Sequence, residues 1–201
     1  SGLLSPSKGE IILNGTTISG MRPERINHLG LARSFQITNV FPNLSVFENL
    51  RLGVMRRYRL NYNFWTRVSS LKKVNEEVEQ ILENVRLSHQ RDTMAGELSY
   101  SEQRSLEIGL ALTSSPSVLL LDEPMAGMSK EETEYTTELI KELSAGRSLM
   151  IVEHDMDVVF ALSDRISVLV YGEIIATGTP EEIRNNAQVQ EAYLGEEVKV
   201  S

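Results

Sequence analysis

The chain contains no cysteine, which excludes disulfides, thiolate metal sites and thiol catalysis together. It has no apolar run approaching the ~18 residues that a membrane-spanning helix needs, and no signal peptide is visible. Basic charge is scarce as well: 20 Lys+Arg stand against 28 Asp+Glu, a net charge of −8. A surface that tracks phosphates draws on excess cations, so non-specific nucleic-acid binding is disfavoured. Internal repeats and low-complexity tracts are missing too. The opening residues Ser1-Gly2-Leu3-Leu4 include no initiator Met, so further residues are expected upstream. What is present fits a folded protein: 41% of residues are hydrophobic and 24% charged, as in ordinary globular domains. The 201 residues suit one domain, or one compact domain with an inserted subdomain.

Along the chain, residues 9–18 read as a β-hairpin turning at Asn14-Gly15, a pair suited to the two positive φ angles of a type I′ turn. Pro23 to Leu31 suits a short helix leading into Ala32-Arg33-Ser34-Phe35-Gln36. A helix is expected from Ser45, with Glu48 at capping-box spacing, followed by a polar-aromatic loop from Arg56 to Trp65. Leu71, Val74, Val78, Ile81, Leu82 and Val85 recur at helical spacing on one face. Another helix should run from near Ser101 to Ser114, capped by Ser99 or Ser101 and ended by Pro116. Val118 to Asp122 and Leu149 to Val152 are continuous apolar runs, which predicts strands buried on both faces. Ser129 with Glu132 forms a further capping box, Ile166 to Val170 a third strand, and Tyr171-Gly172 a turn into a return strand. Thr179-Pro180 starts a final helix. Strand–helix–strand–helix–strand implies a parallel sheet with right-handed crossovers.

Chemistry concentrates at strand ends. Asp122 and Glu123 close the first apolar strand, where α/β proteins place their ligands. One carboxylate there can hold Mg²⁺, directly or through water, while its neighbour orients an attacking water. Alone, the pair also reads as two solvated acids. The second run ends in Glu153-His154-Asp155. In a parallel sheet His154 would open onto the same edge as Asp122 and Glu123, able to donate to a phosphoryl oxygen, although a single strand-end His is as well explained structurally. Small residues around Ser99-Tyr100-Ser101-Glu102-Gln103 precede a helix whose first N–H groups face outward, an anion site or simply an N-cap.

Taken in order, Gln36, then Leu98-Ser99-Tyr100-Ser101-Glu102-Gln103, then Leu119-Leu120-Leu121-Asp122-Glu123-Pro124, then Glu153-His154-Asp155 resemble the ATPase subunit of ABC transporters. In that family they correspond to the Q-loop (Gln36), the signature motif (Leu98 to Gln103), the Walker B strand (Leu119 to Glu123) and the H-loop (His154). The D-loop falls at Ala126-Gly127-Met128-Ser129. Arg33-Ser34-Phe35-Gln36, the insertion containing Trp65, Tyr100, Arg104-Ser105-Leu106-Glu107-Ile108 and Ala192-Tyr193-Leu194-Gly195 are similar to importers of branched-chain amino acids. Urea and short-amide importers share much of this pattern.

The resemblance implies a P-loop NTPase-type (RecA-like) α/β fold. Its parallel-sheet core would comprise residues 1–36 and 116–176 with part of an antiparallel β subdomain. A helical subdomain would occupy 37–115, and a C-terminal helix and tail 177–201. It also implies ATP and Mg²⁺ as cofactors, head-to-tail pairing with a second ATPase subunit, and transmembrane permease subunits fed by a solute-binding protein. The place of work would be the cytoplasmic face of the membrane. Glu123 would polarise the attacking water, Asp122 and Gln36 would approach Mg²⁺, and His154 would contact the γ-phosphate. Ser99, Tyr100, Ser101, Glu102 and Gln103 would face nucleotide held by the partner subunit.

Three departures accompany the resemblance. The phosphate loop G-x-x-x-x-G-K-[ST] does not occur in the sequence; the first strands and that loop are expected upstream, so the chain by itself is expected to be inactive, and Lys8 lacks the glycines to replace it. Ser101 and Glu102 stand where the family usually has Gly and Gln. A carboxylate within ~6 Å of phosphate would cost on the order of 2–3 kcal/mol at an effective dielectric of 20, unless it points away. Ser129 occupies a D-loop position where many members carry an acid. Chromosome and repair ATPases would need a long coiled coil between the motifs, and translation-associated ABC proteins two cassettes. A non-catalytic interaction module remains the rival reading.

Overall fold

The computed structural model describes residues 2–34, 40–58, 60 and 71–197, the last five through their backbone alone. Gln36, Phe35 and Trp65 therefore lie outside the described residues. The chain divides into two compact units, Ser1–Val152 and Glu153–Ser201.

The first unit opens with the expected hairpin, β1 (Ile12–Leu13) against β2 (Thr16–Thr17). Asn14 and Gly15 take φ of 48° and 78°, the pair of positive angles that a type I′ turn requires. Leu13 and Ile18 pack with Ile26 of α1 (Pro23–His28), and Leu31 and Val118 lean on that cluster.

A parallel sheet follows in the order β3 (Leu31–Arg33), β4 (Val118–Asp122), β5 (Ser148–Val152). This corrects the expected strand set. Ile166–Val170 is not part of that sheet; the third member is β3, whose three residues carry no periodicity of their own. The sheet is also not buried on both faces. Ala32, Leu119 and Leu121 are buried on one face, whereas Met150 and Val152 on the other are 60% and 52% exposed. Among the described residues, the apolar cluster around Ile26 packs against the Leu31 and Val118 end of that second face.

The helices α2 (Val46–Arg57), α3 (Lys72–Asn84) and α4 (Tyr100–Leu112) pack on one another. The apolar stripe read from the sequence is the buried one: Val74, Val78, Ile81 and Leu82 of α3 are buried, as are Leu50 and Val54 of α2 and Leu106 and Ile108 of α4. Each such side chain stabilises by about 1.5–3 kcal/mol when fully buried. Close approach rests on glycine: a Cβ on Gly53 would lie 2.5 Å from Thr113 Oγ1. The entry to α2 is fixed twice. Ser45 accepts the Glu48 N–H at the N-cap. Asn49, 1% exposed, accepts the Phe41 N–H and donates to the carbonyls of Phe41, Leu44 and Ser45. Helix α5 (Lys130–Ser144) follows β4, with the predicted Ser129–Glu132 capping box complete.

In the second unit, α6 (Met156–Leu162) leads to β6 (Ile166–Val170), which pairs antiparallel with β7 (Glu173–Gly178) across Tyr171-Gly172. Thr179 and Glu182 cap α7 (Pro180–Arg184), and α8 (Ala187–Glu197) ends the described chain. Ile166, Ile183 and Val189 form this unit's core. Among the described residues no helix is long and apolar enough to cross a membrane.

Candidate active site

The C-terminal end of β4 presents Asp122 and Glu123, both half-buried. Arg33 Nη2 donates to Asp122 Oδ2 at 2.7 Å, with both side chains about one-third exposed (32% and 29%). Register explains the pairing, because Arg33 lies opposite Leu120, one step along the same face from Asp122. A partly exposed pair of this kind contributes about 0.2–1 kcal/mol, so its main effect is to aim the carboxylate. Sequence reasoning missed this ion pair; the only available signal was that both residues end their strands.

Glu123 adopts a φ of 45°. That left-handed conformation costs a residue with a Cβ about 1–2 kcal/mol. It is held from both sides: the Glu123 N–H donates to Val152 O at 2.9 Å and its carbonyl accepts the Ala126 N–H at 3.2 Å. Strain retained at a carboxylate beside a strand end is a recurrent mark of functional positions.

Against this edge stands the start of α4. The N-cap is Ser99, not Ser101. Glu102 turns back over its own helix start: Ser99 donates to Glu102 Oε2 through its N–H at 2.8 Å and its hydroxyl at 2.7 Å. Gln90 Nε2 donates to Oε1 at 2.7 Å, and His89 Nε2 lies 3.5 Å away. Burial pushes the Glu102 carboxyl up, but the hydrogen bonds from Gln90, Ser99 and His89 prevail and hold it below the usual glutamate value. Glu102 is thus held as a carboxylate turned back onto its own helix start. Ser101 Oγ lies 3.4 Å from Ser99 Oγ, Gln103 Nε2 donates to Leu98 O at 3.1 Å, and the Tyr100 hydroxyl donates to Ala126 O at 2.7 Å.

Within the first unit, Tyr100 at the start of α4 thus reaches the turn that follows Asp122 and Glu123. His154 belongs to the second unit, where its ring is 78% exposed and Nδ1 lies 3.9 Å from Glu153 Oε2. Asp155 next to it caps α6 by accepting the Asp157 and Val158 N–H groups.

Among the described residues no group of three or more His, Asp or Glu side chains is arranged to hold a metal. Two hard carboxylate donors are what Mg²⁺ uses when phosphates and water complete its shell, so the donor set fits a phosphate-borne Mg²⁺. A cavity of about 730 Å³ opens nearby among α1, β3, α2 and α4. Ala32, Leu110 and Ala111 line it with Arg33 and Arg56, and Ser34, also on its wall, keeps a buried hydroxyl oxygen without a hydrogen-bond partner.

Residues 1–126 match the family described as ABC transporter. The chain belongs to the ABC transporter family. Residues 173–199 match the family described as Branched-chain amino acid ATP-binding cassette transporter. This ABC protein is 36% identical over 205 residues to the high-affinity branched-chain amino acid transport ATP-binding protein BraF of Pseudomonas aeruginosa, covering 98% of this chain and 80% of BraF. It is 34% identical over 203 residues to LivG of Escherichia coli K12, described in the same words, with the same 98% and 80% coverage. A solved nucleotide-free ATP-binding cassette from an ABC transporter superposes with a TM-score of 0.80 at 32% identity, covering 96% of this chain and 79% of the other. The ABC ATPase fold, with a parallel sheet and separate antiparallel strands, is therefore the fold of this chain.

Proposed function

We propose that this ABC protein is the ATP-hydrolysing subunit of an importer for branched-chain or related amino acids. Its partners are a second ATPase subunit and transmembrane permease subunits, and through them a solute-binding protein, at the cytoplasmic face of the membrane. The observation that carries the proposal is the strained Glu123 beside Asp122, with the start of α4 tied to the same turn. Glu123 takes up the proton of the attacking water, and the held backbone keeps its carboxylate at the strand end. Asp122, aimed by Arg33, would help hold Mg²⁺. Gln36 approaches the same metal and water, and His154 donates to the γ-phosphate. Bound Mg²⁺ neutralises charge on the phosphates.

Ser99 to Gln103 face nucleotide held by the second subunit. The Ser101 backbone N–H supplies an anion donor even without the usual glycine, since α4 is long enough for its N-terminus to favour negative charge. Residues 37–115 act as the moving helical subdomain on a core of 1–36 and 116–176, with 177–201 as a C-terminal appendage. The cavity beside Arg56 and Leu110 receives a permease helix, which turns closure of the dimer into alternating access.

Calorimetry with MgATP on the full gene product that contains these residues tests the reading. Binding supports an ATPase and leaves the motif roles intact. Absence of binding favours the rival, a non-catalytic interaction module.

A further inference from the structure

Helix α4 reaches the turn after β4 through the Tyr100 hydroxyl, which donates to Ala126 O at 2.7 Å. In the same turn Gly127 takes a φ of +80° with the Tyr100 ring against it; a Cβ there would sit 3.7 Å from the hydroxyl oxygen. The peptides of this turn are relayed: Tyr100 holds the Ala126 carbonyl, and the Ala126 N–H holds the Glu123 carbonyl at 3.2 Å. On the far side the Glu123 N–H is fixed to Val152 O at 2.9 Å.

We propose that Tyr100 is a positioning residue, whose hydroxyl sets the 123–126 turn and so keeps Glu123 in its left-handed conformation whenever the start of α4 is seated. Its hydroxyl is engaged by the Ala126 carbonyl, so its role runs through the backbone. Its ring is 49% exposed, so its place on the first turn of α4 is set by this bond rather than by burial. The coupling runs within one chain: anything that shifts α4 pulls on the Ala126 carbonyl, three residues from the carboxylate. The phenol is suited to this, because phenylalanine would keep the ring over Gly127 and lose only the hydroxyl. The proposal rests on Glu123 acting as the base.

The test is Tyr100→Phe, alone and combined with Glu123→Gln. In the chain by itself, amides of residues 123–129 are expected to exchange about 3–10-fold faster, the effect of losing one net hydrogen bond. In the assembled transporter, kcat is expected to fall about tenfold with KM for MgATP unchanged, because a misplaced reacting group slows the step without weakening binding. In the Glu123→Gln background the second substitution should cost nothing further, since Tyr100 acts through Glu123. If Glu123→Gln turns over like wild type, the base assignment fails and the catalytic consequence of Tyr100 fails with it. If Glu123→Gln is inactive, then unchanged amide exchange, unchanged kcat or an additive loss in the double variant overturns the Tyr100 proposal alone.

Discussion

Glutamine at position 123 is expected to remove about 10²–10⁴-fold of ATP turnover, the usual contribution of a positioned general base, while MgATP binding persists. The substitution is nearly isosteric, and the backbone bonds to Val152 and Ala126 do not involve the side chain, so the left-handed turn should survive. What is lost is the negative charge proposed to take the proton from water. Phosphoryl transfer leaves the protein little covalent chemistry to perform, and orienting and deprotonating the nucleophile is a large share of it. The measurement is steady-state phosphate release beside equilibrium nucleotide binding, in a preparation that binds MgATP. Turnover at the wild-type level would remove Glu123 from the mechanism and return the acid pair to the status of a solvated strand end.

The second large effect concerns stability. Asn49→Asp is expected to destabilise the first unit by about 3–5 kcal/mol at pH 7, as for a buried charge left without a partner. Asn49 is 1% exposed and its amide nitrogen faces the carbonyls of Phe41, Leu44 and Ser45. An ionised carboxylate would put negative charge against those three oxygens and supply no donor. A protonated one would keep one donor and leave at least one buried carbonyl short, at about 1–3 kcal/mol. The loss should therefore shrink as pH falls and the new acid is protonated. Urea unfolding at two pH values checks this; a change below about 1 kcal/mol at neutral pH, within the range of ordinary surface substitutions, would mean that the loop ahead of α2 is held by something else.

Local chemistry made much of the molecule readable in advance. Asn14-Gly15 specified its turn, and Ser129 with Glu132 and Thr179 with Glu182 specified helix starts, because each signal lies within four residues of its effect. Val74, Val78, Ile81 and Leu82 revealed α3 by spacing alone. Failure came where a partner is distant in sequence. β3 is a strand because Leu31, Ala32 and Arg33 lie beside Val118, Leu119 and Leu120, a pairing that no window around residue 31 contains. Apolar continuity in Leu149 to Val152 suggested burial on both faces, but continuity reports what could be covered and not what covers it. At the candidate site, the acid pair and the α4 cap were legible as residue types. The Arg33–Asp122 pair and the reach of Tyr100 to Ala126 were not, since each depends on tertiary placement.

The conformation of Glu123 also sets two selective pressures against each other. Glycine adopts positive φ without the steric cost that falls on a residue with a Cβ, so Glu123→Gly should relieve about 1–2 kcal/mol of local strain, less the entropy glycine adds to the unfolded chain. A library varied at position 123 and screened only for resistance to heat should therefore enrich glycine, and asparagine behind it. The survivors would be sturdier proteins without the carboxylate proposed to serve turnover. Breeding this fold for durability without a simultaneous demand for turnover would steadily erase the residue on which turnover is proposed to depend.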